Sequence, residues 1–172
     1  SQLTAMLRTP TLFCSIIAVN NEIGTIQKLD EISKIILDAG SLFHSDAAQA
    51  LKTDLNYNVC DHVDLASYSG HKIGGPQGIG CLYISAGSQE QFMPLILGGG
   101  QQNGIRSGTL PLPLCIGISQ AIEDLENFDF KKIRKMRDAL FKKLKQNVEG
   151  IKLNGPCLEK RHACNLNIYI PS

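Results

Sequence analysis

The chain has 172 residues, of which 43% are hydrophobic and 19% are charged, and its formal net charge is +1. This composition is typical of a folded globular protein and excludes a disordered tail. The near-zero net charge gives no reason to expect nucleic acid or a membrane surface as a partner. The length suits one domain, or one domain with part of another.

The first half of the sequence predicts strands that alternate with helical segments. Residues 12–19 form an apolar run typical of a buried parallel strand, and residues 29–39 carry apolar side chains at helical spacing. Shorter runs predict three further strands, at residues 41–44, 63–67 and 78–85. We therefore expect an α/β fold with a mostly parallel sheet and flanking helices.

The second half of the sequence is mainly helical in pattern. Helical spacing of apolar residues begins near residue 113 and continues to residue 144, with a break at residues 127–129. Residues 131–145 hold most of the basic side chains of this half, which we interpret as a solvent-exposed helix face. Two short strands are expected after the helices, at residues 151–153 and 165–170.

The six cysteines predict reduced thiols. They are scattered without a C-x-x-C pair, and several lie in apolar runs where a thiol packs as a small hydrophobic group. The same spacing argues against a structural zinc site. The sequence starts without a signal-like segment, and no apolar run approaches the ~20 residues that cross a bilayer. We therefore expect a cytoplasmic protein with no membrane partner, or a mitochondrial-matrix protein if the source is eukaryotic.

Glycine-rich loops surround a lysine, Lys72, that follows one of the predicted strands. Residues 74–80 and 98–100 fit neither G-x-x-x-x-G-K-[ST] nor a G-x-G-x-x-G that opens a helix, which disfavours a nucleotide site. Polar residues lie near Lys72 in sequence or follow the other predicted strands: Asn21, Asp46, Gln49, Ser69 and His71. Because ligands gather at the carboxyl ends of parallel strands, we expect these side chains to share one site.

This set of residues suits pyridoxal 5'-phosphate. That cofactor needs a lysine amine for its covalent link and a carboxylate that keeps the ring nitrogen protonated. It also needs donors for its phosphate and its phenolic oxygen. Lys72, Asp46 and the neighbouring amide, hydroxyl and imidazole groups meet these requirements.

Four ordered segments resemble the cysteine desulfurases, which are fold-type I pyridoxal-phosphate enzymes of the class V aminotransferase family. The segments are AVNNEIGTIQ at 18–27, FHSDAAQALKTDL at 43–55, DLASYSGHKIGGPQGIGCLYI at 64–84 and GGGQQNGIRSGT at 98–109. The resemblance implies the large domain of a fold-type I transferase, with residues 1–112 as its second half. Residues 113–172 would be the interdomain helix and the start of the small domain.

The resemblance also implies a role for each candidate residue. Lys72 matches the Schiff-base lysine, which moves protons during turnover, and Asp46 matches the partner of the pyridine nitrogen. Gln49 and Asn21 match groups that bind the phenolic oxygen or orient the substrate. The remaining candidates match phosphate ligands: Ser69, His71 and, from the other subunit of a homodimer, Thr109. The implied reaction takes sulfur from L-cysteine, leaving alanine and an enzyme-bound persulfide for sulfur-acceptor or scaffold proteins in iron–sulfur cluster and thio-cofactor synthesis.

Two departures from the family pattern qualify this expectation. The loop after the triple glycine reads Gln101-Gln102-Asn103, where the family commonly has charged residues. None of the six cysteines lies at the family's nucleophile position, so the chain is expected to be an internal fragment. Selenocysteine lyase, or another enzyme of the same class, is the alternative with the same cofactor. A catalytically silent binding module is the alternative from a different class.

Overall fold

A computed structural model of the chain describes residues 1–52 and 58–171. The helices and strands in these ranges are α1 (Gln2–Met6), β1 (Phe13–Ser15), α2 (Leu29–Asp38), β2 (Leu42–Asp46), β3 (Leu65–Ser69), β4 (Gly80–Ile84), α3 (Leu112–Glu126), α4 (Phe130–Asn147), β5 (Lys152–Leu153) and β6 (Ile168–Tyr169). Short 3-10 helices lie between them, and the one that matters most below is Gly70–Ile73. Among the described residues, no helix is long and apolar enough to cross a membrane.

Strands β1 to β4 form a mixed sheet in their chain order. Strands β1, β2 and β3 are parallel, and β4 is antiparallel to β3. The expected α/β class with a mostly parallel sheet is confirmed. Strands β5 and β6 form a separate antiparallel pair.

Strand β1 is shorter than the apolar run that predicts it. Regular pairing covers Phe13–Ser15, whereas the prediction was residues 12–19. The chain nevertheless stays beside β2, since the Ile16 amide donates to the His44 carbonyl at 3.0 Å and the Ala18 amide donates to the Asp46 carbonyl at 2.9 Å. Strand β6 is also shorter than its predicted range of residues 165–170.

The main core lies between one face of the sheet and α2. Side chains alternate along a strand, and those of Phe43 and Ser45 on β2 are buried on this face. Helix α2 contributes Leu29 and Ile36, which are both 0% exposed. Helix α2 begins at Leu29 as the apolar spacing predicts. Because Phe43 and Ser45 face α2, the alternating residues of β2, His44 and Asp46, face the opposite side of the sheet.

A second, smaller core supports the turn that contains Lys72. Ile73 packs with Ile118 and Ala121 of α3. Helix α3 approaches closely because a Cβ on Gly117 would lie 2.9 Å from Pro76. The helix therefore braces the loop after β3.

Helix α4 confirms the predicted helix after the break and exposes its lysines, whereas Arg134 is half-buried and Arg137 is buried. Arg137 is buried, so the interpretation of this face as wholly solvent-exposed is wrong at that position. Its guanidinium donates to the Leu158 carbonyl at 2.7 Å and to the His162 carbonyl at 2.9 Å, and it pairs with Asp138 at 2.7 Å. Arg137 thus attaches α4 to the segment before β6.

His44 lies on the sheet face opposite α2 and joins three strands. Its Nδ1 is 2.8 Å from the Ser15 hydroxyl of β1, and its Nε2 is 3.2 Å from the Ser67 hydroxyl of β3. The ring stacks on Phe13 with a centroid distance of 5.8 Å. Burial lowers the pKa of His44, and the nearby Asp46 charge offsets part of that effect.

Replacing Gly80 by alanine is expected to destabilise the sheet. A Cβ at Gly80, which pairs with Ser69, would overlap the Tyr68 carbonyl oxygen. We expect G80A to lower the free energy of unfolding by about 1–3 kcal/mol because backbone atoms must shift. Gly87→Ala is the control, because a Cβ there meets open space. Urea titration of both variants measures the difference, and equal midpoints would contradict the steric argument.

The stability of the protein is expected to fall below pH 6.5 through His44. Because the folded state lowers the pKa of this imidazole from its ordinary value of 6.5, the unfolded chain takes up the proton more readily. Neutral His44 contributes fully to the free energy of unfolding above pH 6.5, and this contribution is lost as the pH falls through the folded-state pKa. The free energy of unfolding, measured by urea titration from pH 7.5 to 5.5, should decline less steeply in H44Q than in the unmodified protein. Equal slopes would show that His44 does not carry this dependence.

Candidate active site

Three neighbouring chain segments reach the same edge of the sheet with polar residues. Asp46 is the last residue of β2 and Ser69 the last residue of β3. Because Asp46 pairs with Ser67 in the parallel register, the side chains of Asp46 and Ser69 lie on the same face. Asn21 follows the segment that runs beside β2 up to Ala18. The structure thus places Asp46 and Ser69 at adjacent strand ends, and Asn21 in the chain that follows the segment beside β2.

Lys72 lies in the 3-10 helix Gly70–Ile73, directly after β3. The loop is closed by backbone hydrogen bonds, from the Gly70 amide to the Ile79 carbonyl at 3.0 Å and from the Gly75 amide to the Gly70 carbonyl at 2.9 Å. Gly74 ends the turn with φ +91°, a conformation that favours glycine. Burial of Ile73 against α3 leaves the neighbouring Lys72 exposed.

The Lys72 amine is available for a covalent bond. Within residues 1–52 and 58–171, it has no hydrogen bond and no ion pair. Asp46 is similarly uncommitted, since its Oδ1 accepts the Ala48 amide at 3.0 Å and its Oδ2 has no partner in the same ranges. An amine and a carboxylate oxygen that have no hydrogen-bond partner among the described residues are suited to a bound molecule.

Ser69 and His71 form a pair beside Lys72. The Ser69 hydroxyl is 3.0 Å from Nδ1 of His71. The imidazole is exposed, and the hydroxyl is half-buried. One proton of the pair is used in the bond between them, and a remaining O–H or N–H can donate to an anion at the end of β3.

The remaining candidates are less closely tied to this pair. Gln49 is half-buried and follows Asp46 by three residues. The Asn21 side chain is exposed and donates to Oε1 of Glu22 at 3.3 Å. Thr109 is exposed, and in the described part of the chain no hydrogen bond links it to Ser69, His71 or Lys72. The structure thus places Asp46, Ser69, His71 and Lys72 at or directly after the ends of β2 and β3. Among the described residues, no hydrogen bond joins Asn21, Gln49 or Thr109 to these four.

The residues at this edge fit pyridoxal 5'-phosphate. The uncommitted Lys72 amine can take the cofactor's aldehyde, and the free Oδ2 of Asp46 can accept from a protonated ring nitrogen. The Ser69–His71 pair supplies donors for a phosphate. The donor set therefore agrees with the chemistry expected from the sequence.

Residues from the end of the chain also contact this edge, and sequence reasoning missed them. Asn165 donates to the Asn21 and Glu22 carbonyls, and Asn167 donates to the Glu22 carbonyl. The only available signal was the Asn-x-Asn spacing, which places both amides on one side of an extended segment. That spacing names no partner, because the partners lie 143 to 145 residues earlier in the chain.

The chain is similar to curated and structurally characterised proteins over most of its length. Cysteine desulfurase IscS of Rickettsia bellii is 44% identical over 162 residues, which cover 92% of this chain and 39% of that protein. A solved NifS-like protein is 34% identical with a TM-score of 0.86, covering 98% of this chain and 46% of that one. A structure described as SspA in complex with cysteine is 32% identical with a TM-score of 0.80, covering 99% and 47%.

The chain spans only about two-fifths of the length of the curated relatives it matches. The aminotransferase class-V family model matches residues 1–170. Enzymes of that family depend on pyridoxal 5'-phosphate. A match over nearly the whole chain, on a fold that agrees with the solved relatives, means that the chain belongs to the class-V aminotransferase family.

Proposed function

We propose that this chain carries the lysine-bearing half of the cofactor site of a cysteine desulfurase. The observation that carries the proposal is the Lys72 amine, which has no partner within residues 1–52 and 58–171. It lies directly after the Ser69–His71 pair, at the edge where Asp46 ends β2. The names of the relatives support this activity over selenocysteine lyase, over other enzymes of the class and over a silent binding module. The substrate would be L-cysteine, and the products would be alanine and enzyme-bound persulfide sulfur.

Each residue of the edge has a proposed task. Lys72 binds the cofactor covalently and holds or moves a proton at its Nζ. Asp46 keeps the ring nitrogen protonated, and Ser69 with His71 binds the phosphate. Gln49 and Asn21 bind the phenolic oxygen or orient the substrate. When bound, pyridoxal 5'-phosphate supplies an electron sink for the amino acid attached to it.

The same proposal extends to domains, partners and location. Residues 1–112 would belong to the large cofactor domain, and residues 113–172 would form the interdomain helix and the start of the small domain. The cysteine in the SspA structure supports L-cysteine as the substrate. The IscS names support a role in iron–sulfur cluster synthesis, and the proposed recipients of the sulfur are acceptor or scaffold proteins. A cytoplasmic location, or the mitochondrial matrix in a eukaryote, accompanies this role.

A homodimer with a shared active site completes the proposal. Thr109 makes no hydrogen bond to the Ser69–His71 pair of its own chain in the described ranges, and its proposed phosphate lies in the other subunit. The segment leading to it exposes apolar side chains, with Leu95 99% and Leu97 81% exposed. A soluble monomer rarely leaves such side chains clustered in water, which supports their burial against a second subunit.

Labelling of Lys72 tests the cofactor assignment. The whole protein that contains this sequence is incubated with pyridoxal 5'-phosphate, reduced with borohydride and digested for mass spectrometry. The stable label is expected on Lys72, and K72A should lose both the label and sulfide release from cysteine. Lys145→Ala, an exposed lysine on α4, should keep both. A label on another lysine, or full activity in K72A, would overturn the assignment. A label without sulfide release would overturn the desulfurase activity alone.

Charge placed in the exposed apolar segment tests the homodimer. The double variant L95D/L97D is expected to convert a dimer to a monomer and to weaken cofactor retention, because Thr109 no longer reaches the partner's phosphate. Leu37→Asp is the control, since this residue of α2 is also 76% exposed but lies on a different element. Light scattering after size exclusion measures the mass. A dimer that persists in L95D/L97D contradicts the proposed interface.

A further inference from the structure

Hydrogen bonds to both backbone amides and backbone carbonyls hold the turn of residues 20–24. Within the turn, Oδ1 of Asn20 accepts the Glu22 and Ile23 amides, both at 2.9 Å. The Gly24 amide donates to the Asn20 carbonyl at 3.0 Å. The amides of Glu22, Ile23 and Gly24 are therefore satisfied by Asn20, while the carbonyls of the turn need donors from elsewhere.

Those donors come from residues 161–167. Nδ2 of Asn165 donates to the Asn21 carbonyl at 3.2 Å and to the Glu22 carbonyl at 2.9 Å. The His162 amide donates to the Gly24 carbonyl at 2.8 Å. A Cβ on Gly24 would lie 2.5 Å from Oδ1 of Asn165, so the Asn165 side chain packs directly over the turn.

Arg161 fixes the orientation of the Asn165 amide. Its Nη1 donates to Oδ1 of Asn165 at 3.2 Å, and its other nitrogens donate to the Asn154 and Pro156 carbonyls. An arginine only donates, so the amide oxygen of Asn165 must face Arg161 and the amide nitrogen must face the turn. Arg161 is 0% exposed, which holds this arrangement in place.

We infer that Asn165 is a positioning residue that fixes the turn of residues 20–24, and with it the Asn21 side chain at the cofactor site, through hydrogen bonds that Arg161 orients. The inference rests on the proposed role of Asn21. The Asn21 backbone is held by Asn165 while its side chain projects from the turn toward solvent. The region that follows α4 therefore sets the position of a residue in the first half of the chain.

Asn165→Asp is the sharpest variant. It keeps the shape of the side chain and the acceptor that faces Arg161, but it replaces the donor with an oxygen that repels the Asn21 and Glu22 carbonyls. Asn165→Ala removes both groups without adding charge and serves if the aspartate variant does not fold. Gln146→Glu, an exposed amide-to-carboxylate change on α4, is the matched control.

The first readout is hydrogen exchange in the cofactor-free whole protein. In N165D, the backbone amides of residues 22–25 are expected to exchange roughly 10-fold faster, the size expected for the loss of about one hydrogen bond. The amides of β2 should stay as protected as in the unmodified protein, and Q146E should leave both regions unchanged. Unchanged exchange rates of the amides of residues 22–25 in both N165D and N165A would overturn the inference, whether or not Asn21 binds the cofactor or the substrate.

The second readout separates the inference from the proposed function. Cofactor affinity, kcat and KM for cysteine are measured in N21A, N165D and the double variant N21A/N165D. If Asn165 acts through Asn21, N165D weakens cofactor affinity or raises KM in the normal background and adds little in the N21A background. Additive effects overturn the inference and leave the role of Asn21 intact. No effect of N21A itself overturns the proposed role of Asn21, and with it the link from the turn to the cofactor.

Discussion

The parallel register between β2 and β3 is the constraint on which the candidate site depends. It sets Asp46 opposite Ser67 and therefore places Asp46 and Ser69 on one face. A shift of one residue would turn one of these side chains toward α2. Burial of Phe43 and Ser45 on the α2 face opposes such a shift. The shift would expose the Phe43 side chain and move the polar Asp46 side chain into the core. The hydrophobic core and the polar edge thus both follow from the alternation of β2 side chains between the two faces of the sheet.

The position of Lys72 depends on a second set of contacts, made by the other half of the chain. Its turn is closed by backbone hydrogen bonds to Ile79 and Gly75, and Ile73 anchors it against Ile118 of α3. An amine with no internal partner would be mobile on a free loop. Here the backbone that carries it is fixed, while the amine itself has no partner in the part of the chain that the structure describes. A rigid backbone with an available functional group is the arrangement that binding and catalysis require.

The sequence could predict the polar edge because strand ends and their residues are local features. Asp46 and Lys72 each follow a predicted strand, and a parallel sheet brings such strand ends to one edge. Their individual roles came from the family resemblance, because spacing alone does not distinguish a cofactor lysine from an exposed one. Burial of Arg137 and the contacts of Asn165 could not be predicted, since they depend on segments far apart in the chain. The sequence pattern of a helix is the same whether a basic side chain such as Arg137 donates its hydrogen bonds to water or to backbone carbonyls.

Arg161 shows what such long-range contacts achieve. Burying a guanidinium is costly unless its donors are satisfied, and among the described residues none of its partners is a carboxylate. The guanidinium instead donates hydrogen bonds to the carbonyls of Asn154 and Pro156 and to the amide oxygen of Asn165. A cation in this setting stabilises one arrangement of irregular backbone, because few other groups offer several donors from one buried point. The segment that it orders holds the turn that carries Asn21, so the position of this candidate residue depends on both halves of the chain.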